Sequence, residues 1–208
     1  MEYKIVVVGI GPGSPDYLLP IAKRTIDSAK VIVGSKRALD TLATHDCVKK
    51  AIQSDIADVL DFIEMKSSTS DVVVLVSGDP GYYSLLSALR GRFSQNQLTV
   101  IPGISSFQLA FAKLALPWQD AALVSMHGRE PDAEKLEYKP GRKLGILTDS
   151  INNPKTIATR LMNIGWPPES LVWICANLSY ESEEIISANL TNASLIEGFS
   201  HCVMVVKA

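Results

Sequence analysis

Short runs of β-branched residues, each ending in a cluster of glycine, serine, proline or aspartate, alternate with stretches whose apolar residues recur at helical spacing. Ile5-Val6-Val7-Val8 runs straight into Gly9-Ile10-Gly11-Pro12-Gly13, which describes a buried strand ending in a tight turn. Pro20 suits the first position of a helix, with Ile21, Thr25, Ile26 and Ala29 on one inward face. Gly9 to Leu18 is then an extended loop, longer than a plain strand-to-helix turn needs. Val31 to Val33 predicts a second strand. Ser54-Asp55 reads as the cap of a helix that buries Ile56, Val59, Leu60 and Ile63. Val72 to Val76 is the most strand-like run; apolar on both faces, it belongs at the centre of a parallel sheet. It stops at Ser77-Gly78-Asp79-Pro80-Gly81. A helix from about Tyr82 to Leu89 precedes a strand from Leu98 to Ile101, which ends in Pro102-Gly103-Ile104-Ser105-Ser106. A further helix carries Phe107, Ala110, Phe111 and Leu114.

Strand–loop–helix repetition is the mark of an α/β domain. Leu116-Pro117-Trp118-Gln119-Asp120 interrupts it, so the expected domains are residues 1–116 and 120–208. In the second, Ala122 to Met126 predicts a strand ending at His127-Gly128-Arg129, and Leu144 to Thr148 another. Pro154 begins a helix with Ile157, Leu161 and Ile164 inward. Leu171 to Ala176, Glu184 to Ala188 and Cys202 to Val206 follow as strands with short connections, which implies a mixed sheet with antiparallel pairs. In the first domain the strands ending at Val8, Val76 and Ile101 all run into ligand-type loops. In open parallel sheets ligands bind beyond the carboxyl ends of strands, so these loops converge on one site.

Composition narrows the classes of function. Of 208 residues, 47% are hydrophobic and 20% charged, ordinary for a soluble globular enzyme, and the net charge of −2 argues against general nucleic-acid binding. No apolar run approaches the roughly 18 residues of a membrane span, and the amino terminus lacks a signal-peptide pattern. Cys47, Cys175 and Cys202 are too dispersed for a disulfide framework or a zinc site. A cytoplasmic location without metal follows as the expectation. The glycine turn is not a dinucleotide fingerprint, because Ser14 stands where the third glycine belongs and no acid follows Val33. Trp118, Trp166 and Trp173 read as core or junction packing, and His45 and His201 as uninvolved.

Taken in order, Gly9 to Gly13, Val33-Gly34-Ser35-Lys36-Arg37, Ser77 to Gly81, Pro102 to Ser106, His127-Gly128-Arg129, Leu147-Thr148-Asp149 and Asn177-Leu178-Ser179-Tyr180 resemble the motif series of the tetrapyrrole methylases. These are S-adenosylmethionine (SAM)-dependent enzymes of corrin and sirohaem synthesis. The Gly34–Arg37, His127–Arg129 and Asn177–Tyr180 stretches look most like the branch that methylates a precorrin at carbon 5. The resemblance implies a two-domain α/β fold, with a mostly parallel first sheet, a mixed second sheet and SAM in the cleft between. It also implies a homodimer, a corrinoid substrate and a separate C15-methylating, decarboxylating partner enzyme. RNA ribose methylases and diphthine synthases share the glycine loop and the Gly-Asp-Pro motif, and a non-catalytic SAM-binding module is the rival of another class.

By that resemblance Gly78, Asp79, Pro80, Gly81, Ser105 and Ser106 line the methionine end of SAM, and Leu178 contacts adenine. Asp79 receives the SAM ammonium or orients its loop, with capping of the next helix as the alternative. A macrocycle bearing many carboxylates calls for cations, and Lys36, Arg37 and Arg129 are the candidates. Gly9, Gly11, Pro12 and Gly13 border the substrate. His127, at a strand end beside a glycine, either bonds the substrate or relays a proton, or is satisfied by backbone. Methyl transfer to a nucleophilic ring carbon wants alignment and a dry cavity more than a strong base.

Overall fold

The computed structural model describes residues 3–208, which divide into two compact units at Ser105/Ser106. The first contains β1 (Ile5–Gly9), α1 (Pro20–Asp27), β2 (Val31–Gly34), α2 (Lys36–Leu42), β3 (Val48–Ala51), α3 (Ile56–Ser67), β4 (Val72–Val76), α4 (Leu86–Arg92) and β5 (Leu98–Ile101). Its sheet has the order β3-β2-β4-β1-β5 and every pairing is parallel. Alternate residues of the strands feed two apolar layers. Ile5, Val7, Val31, Val33, Val72 and Val74 pack with Val59, Ile63, Leu89 and Phe93, whereas Val8, Ile32, Val73, Leu75 and Ile101 pack with Ala22, Ile26, Ala38 and Leu39. Helices on both faces therefore explain why β4 carries no polar residue and stands in the middle of the order.

Two elements here escape the hydrophobic pattern. Helix α2 follows β2 where the pattern predicts no element, its start fixed by the Ser35 hydroxyl, which accepts the Ala38 N–H at 3.2 Å. Strand β3 is the edge strand Val-Lys-Lys-Ala, and its lysines hide it. Helix α1 starts at Pro20 as expected, but it buries Ala22 and Ile26 and leaves Ile21 49% exposed. Helix α3 is capped by Asp55 and buries Val59 and Ile63, with Ile56 on its exposed side. Helix α4 begins at Leu86, later than Tyr82, because Tyr83 adopts φ +47° and ends any helix there.

The second unit contains α5 (Ser106–Lys113), β6 (Ala121–Ser125), α6 (Ala133–Leu136), β7 (Lys143–Leu147), α7 (Pro154–Asn163), β8 (Leu171–Ala176), β9 (Glu184–Asn189), α8 (Leu190–Ala193) and β10 (Cys202–Lys207). Its sheet runs β6-β7-β10-β8-β9, parallel between β6 and β7 and antiparallel elsewhere. The observed division precedes the stretch from Leu116 to Asp120. Helix α5 packs on β10, and Phe107 lies over Gly145, where a methyl group would come within 3.0 Å of the ring. Lys143 pins the following segment, donating to the Pro117 carbonyl at 2.7 Å and to Asp120 at 2.6 Å. Asp120 sits below the usual carboxylate range chiefly because of that lysine.

Trp166 is buried and donates its indole N–H to the Leu136 carbonyl at 2.7 Å. Trp118 is 42% exposed, so it is not core, and Ile164, at the end of α7, points outward at 46%. Among the described residues no helix is long and apolar enough to cross a membrane.

Candidate active site

In the first unit the glycine loops meet backbone to backbone. Gly11 and Gly78 form an isolated antiparallel bridge, with Gly78 N–H donating to Gly11 O at 2.8 Å and Gly11 N–H to Gly78 O at 3.3 Å. A Cβ on Gly9 would lie 2.6 Å from Gly103 N and 2.7 Å from Gly78 O; one on Gly103 would lie 2.2 Å from Gly78 O. These positions admit no side chain. Asp79 closes the group: Oδ1 accepts the Gly81 N–H at 2.8 Å and Oδ2 the Gly103 N–H at 3.1 Å. Since α4 starts at Leu86 without a side-chain cap, Asp79 orients the loops and caps no helix.

The long connection after β1 is not extended throughout. It makes a single 3₁₀ turn at Pro15–Tyr17, started by Ser14, and folds back so that Gly11 faces the Tyr17 carbonyl. Pro12 and Gly13 are half-buried on its near side, and Pro80 is buried. Lys36 and Arg37 are exposed in the first turn of α2, beyond β2. Ser105 and Ser106 lie half-buried where α5 begins.

The second unit has its own cluster at the carboxyl ends of β6 and β7. His127 Nδ1 lies 3.2 Å from the Thr148 carbonyl. Asp149 accepts the Gly128 N–H at 2.7 Å through Oδ2, and the N–H groups of Ile151 and Asn152 at 2.8 and 2.6 Å through Oδ1. The Gly128 bond, then Asn152 and Ile151, hold its carboxyl below the ordinary range. Arg129 is exposed, its Nε 3.5 Å from the His127 carbonyl. The rings of His127 and His201 stand 5.4 Å apart. His201, set aside in the sequence, thus belongs to this cluster; nothing in its sequence context signals that.

Asn177-Leu178-Ser179-Tyr180 forms the turn from β8 to β9, with Asn177 at φ +49° and Ser179 at φ +74°. Left-handed backbone at a serine costs energy unless the surroundings fix it. Glu183 does so, accepting the Ser179 N–H at 2.8 Å while its other oxygen meets Lys113 Nζ at 2.6 Å. Lys113 first, then the Ser179 bond, lower its pKa. Leu178 is 6% exposed. Sequence reasoning passed over Glu183, and it quoted Asp149 in the Leu147-Thr148-Asp149 motif without giving it a role. An aspartate at a strand end, where its carboxylate can accept the N–H two residues on, is the signal that could have supplied one.

Among the described residues no group of three or more His, Cys, Asp or Glu is placed to hold a metal ion. Burial pushes the Cys175 thiol up to about 12 and that of Cys202 to about 11, so neither is a nucleophile at neutral pH. The first unit therefore offers main-chain groups and the exposed cations Lys36 and Arg37, and the second an imidazole pair beside Arg129, groups suited to holding and aligning reactants.

Comparison with known proteins gives that set its chemistry. A probable cobalt-precorrin-7 C(5)-methyltransferase of Methanocaldococcus jannaschii is 34% identical over 186 residues, covering 87% of each chain. The crystal structure of a cobalamin-biosynthesis precorrin-6Y methylase from Archaeoglobus fulgidus matches with a TM-score of 0.74 at 30% identity, over 98% of this chain and 97% of that one. A uroporphyrin-III C-methyl transferase from Thermus thermophilus, complexed with S-adenosyl homocysteine, shares the fold at a TM-score of 0.76 and 21% identity, over 98% and 91% of the chains. The family model for tetrapyrrole (corrin/porphyrin) methylases matches residues 4–194, and with these loops in these places the chain belongs to that family.

Proposed function

We propose that this chain is the SAM-dependent methyltransferase that methylates carbon 5 of a precorrin or cobalt-precorrin in cobalamin biosynthesis. The observation that carries this is the identity to a C(5)-methyltransferase over nearly the full length of both chains. When bound, SAM supplies an electrophilic methyl group on a sulfonium.

The residues present fit such a donor. Gly78, at φ +67°, lets main chain approach a ligand without a side chain, and Asp79 fixes that loop against Gly103. Gly78 to Gly81, Ser105 and Ser106 hold the methionine end through main-chain and hydroxyl groups, and Leu178 contributes to the adenine site from its strained turn. Preset loops of this kind supply alignment, which is what a displacement at a methyl carbon needs. Lys36, Arg37 and Arg129 bind carboxylates of the corrinoid, bordered by Gly9, Gly11, Pro12 and Gly13. In this reading the enzyme is a cytoplasmic homodimer that works in series with a separate C15-methylating, decarboxylating enzyme.

Incubation with SAM and the carbon-6-reduced precorrin, with and without cobalt, tests the function. The product gains the mass of one methyl group, located at carbon 5 by NMR. No gain with either substrate, or a methyl at another carbon, overturns it.

A further inference from the structure

Replacing C–H by C–CH₃ at a ring carbon releases a proton, so a residue that accepts it is a chemical requirement distinct from alignment. The ring carbon's π electrons form the new C–C bond, and the C–S pair leaves with the neutral thioether. The pair of the old C–H bond then restores the conjugated system as the proton departs. The cationic adduct is acidic, so a weak base is enough.

The second unit presents one. A carbonyl oxygen only accepts, so the 3.2 Å contact between His127 and Thr148 is made by Nδ1–H, and the neutral ring keeps its lone pair on Nε2. No group among the described residues bonds that Nε2, and the ring is exposed at the carboxyl end of β6. The Asp149 carboxylate lies close by, held by the N–H of the next residue, Gly128, while Arg129 carries the opposite charge two residues along.

Thr148 sets the second ring too. Its N–H donates to Cys202 O at 3.1 Å, and its hydroxyl accepts the Cys202 N–H at 2.9 Å. His201 is thereby held with its ring 5.4 Å from that of His127, exposed, with its own Nδ1 3.1 Å from Ser200 Oγ.

We propose that His127 accepts the proton released by methylation at Nε2 and that His201, acting through His127, passes it to solvent. This rests on the methyl-transfer reading above. Asparagine at position 127 keeps an N–H for the Thr148 carbonyl but has no basic nitrogen. His127→Asn should therefore lower kcat about 100-fold, the low end for loss of a general base. KM for the corrinoid and the affinity for S-adenosylhomocysteine should stay unchanged. His201→Ala should lose less, about tenfold, as expected for a residue one step removed from the proton. Added imidazole should restore both variants in proportion to its concentration and leave the unmodified enzyme unaffected. Independently of turnover, ¹⁵N NMR of histidine-labelled protein should show His127 protonated at Nδ1 and bare at Nε2.

The opposite tautomer overturns the proposal. So does an undiminished kcat in His127→Asn, or a loss confined to KM without imidazole rescue, which would make the pair a substrate-binding patch. If the unmodified enzyme transfers no methyl group, the functional reading itself fails; if it does and His127→Asn matches it, only the proton-accepting pair fails.

Discussion

Asp79 reaches across the end of β1 to hold the N–H of Gly103 at 3.1 Å, joining the loops of two strands that are not neighbours in the sheet. The strand between them passes beneath this bond with Gly9, the residue for which any side chain would strike Gly103 and Gly78. Asp79→Asn leaves one acceptor for two N–H groups and turns an amide N–H toward one of them. It should cost about 1 kcal/mol, the low end of the range for stranding a donor because the Gly103 N–H is only part-buried, measured by urea unfolding. Activity should fall further than that loss of folded protein explains, because the glycine loops lose their tie.

The glycines should separate into classes under substitution. Gly103→Ala places a methyl 2.2 Å from the Gly78 carbonyl, and overpacking of this kind costs about 1–3 kcal/mol or more. Gly128, at φ +64°, meets nothing within 4 Å, so Gly128→Ala should cost only the left-handed backbone penalty of about 1–2 kcal/mol. Unfolding midpoints of the two variants measured side by side check the order.

Acid should loosen the second unit in a specific way. Asp149 and Glu183 both have folded-state pKa values depressed below their unfolded ones, by hydrogen bonds from Gly128 and by Lys113 respectively. Their contribution is complete above the unfolded carboxylate values of about 4 and is lost as pH falls through the lower folded values. Asp149→Asn and Glu183→Gln should each be less stable than the parent at neutral pH. Their stability should also decline less between about pH 5 and pH 2, read from urea midpoints across that window.

Thiol reactivity should single out one cysteine. Cys175 pairs across the sheet with Val203 and Cys202 with Ala176, so the two thiols lie on opposite faces and cannot form a disulfide. Both are buried and hard to ionise, whereas Cys47 is half-buried beside the Thr44 carbonyl. A chromogenic disulfide reagent should titrate Cys47 quickly in the native protein and the other two only on denaturation. Rapid native labelling of Cys175 would contradict the burial.

The strands were legible because burial on both faces leaves an unmistakable run of valine, as in Val72 to Val76. Strand β3 was not, since an edge needs only half-burial and its lysines serve solubility. The division at Ser105/Ser106 was hidden for a related reason. Phe107 and its neighbours look alike in sequence whichever sheet they cover, and only their packing on β10 assigns them. Within the candidate site, the glycine and aspartate loops announced themselves through turn chemistry. Glu183 did not, because its meaning lies in the left-handed backbone of Ser179, four residues earlier in the same turn, and His201 did not, because its partner His127 is far away along the chain.

The backbone contact among Gly9, Gly78 and Gly103 has a further consequence for ligand affinity. Loops packed so closely cannot shift one at a time, so the ordering entropy of this part of the site is spent during folding. A ligand arriving there meets a preorganised mould, and what it gains from contact is not returned as the cost of freezing a loop.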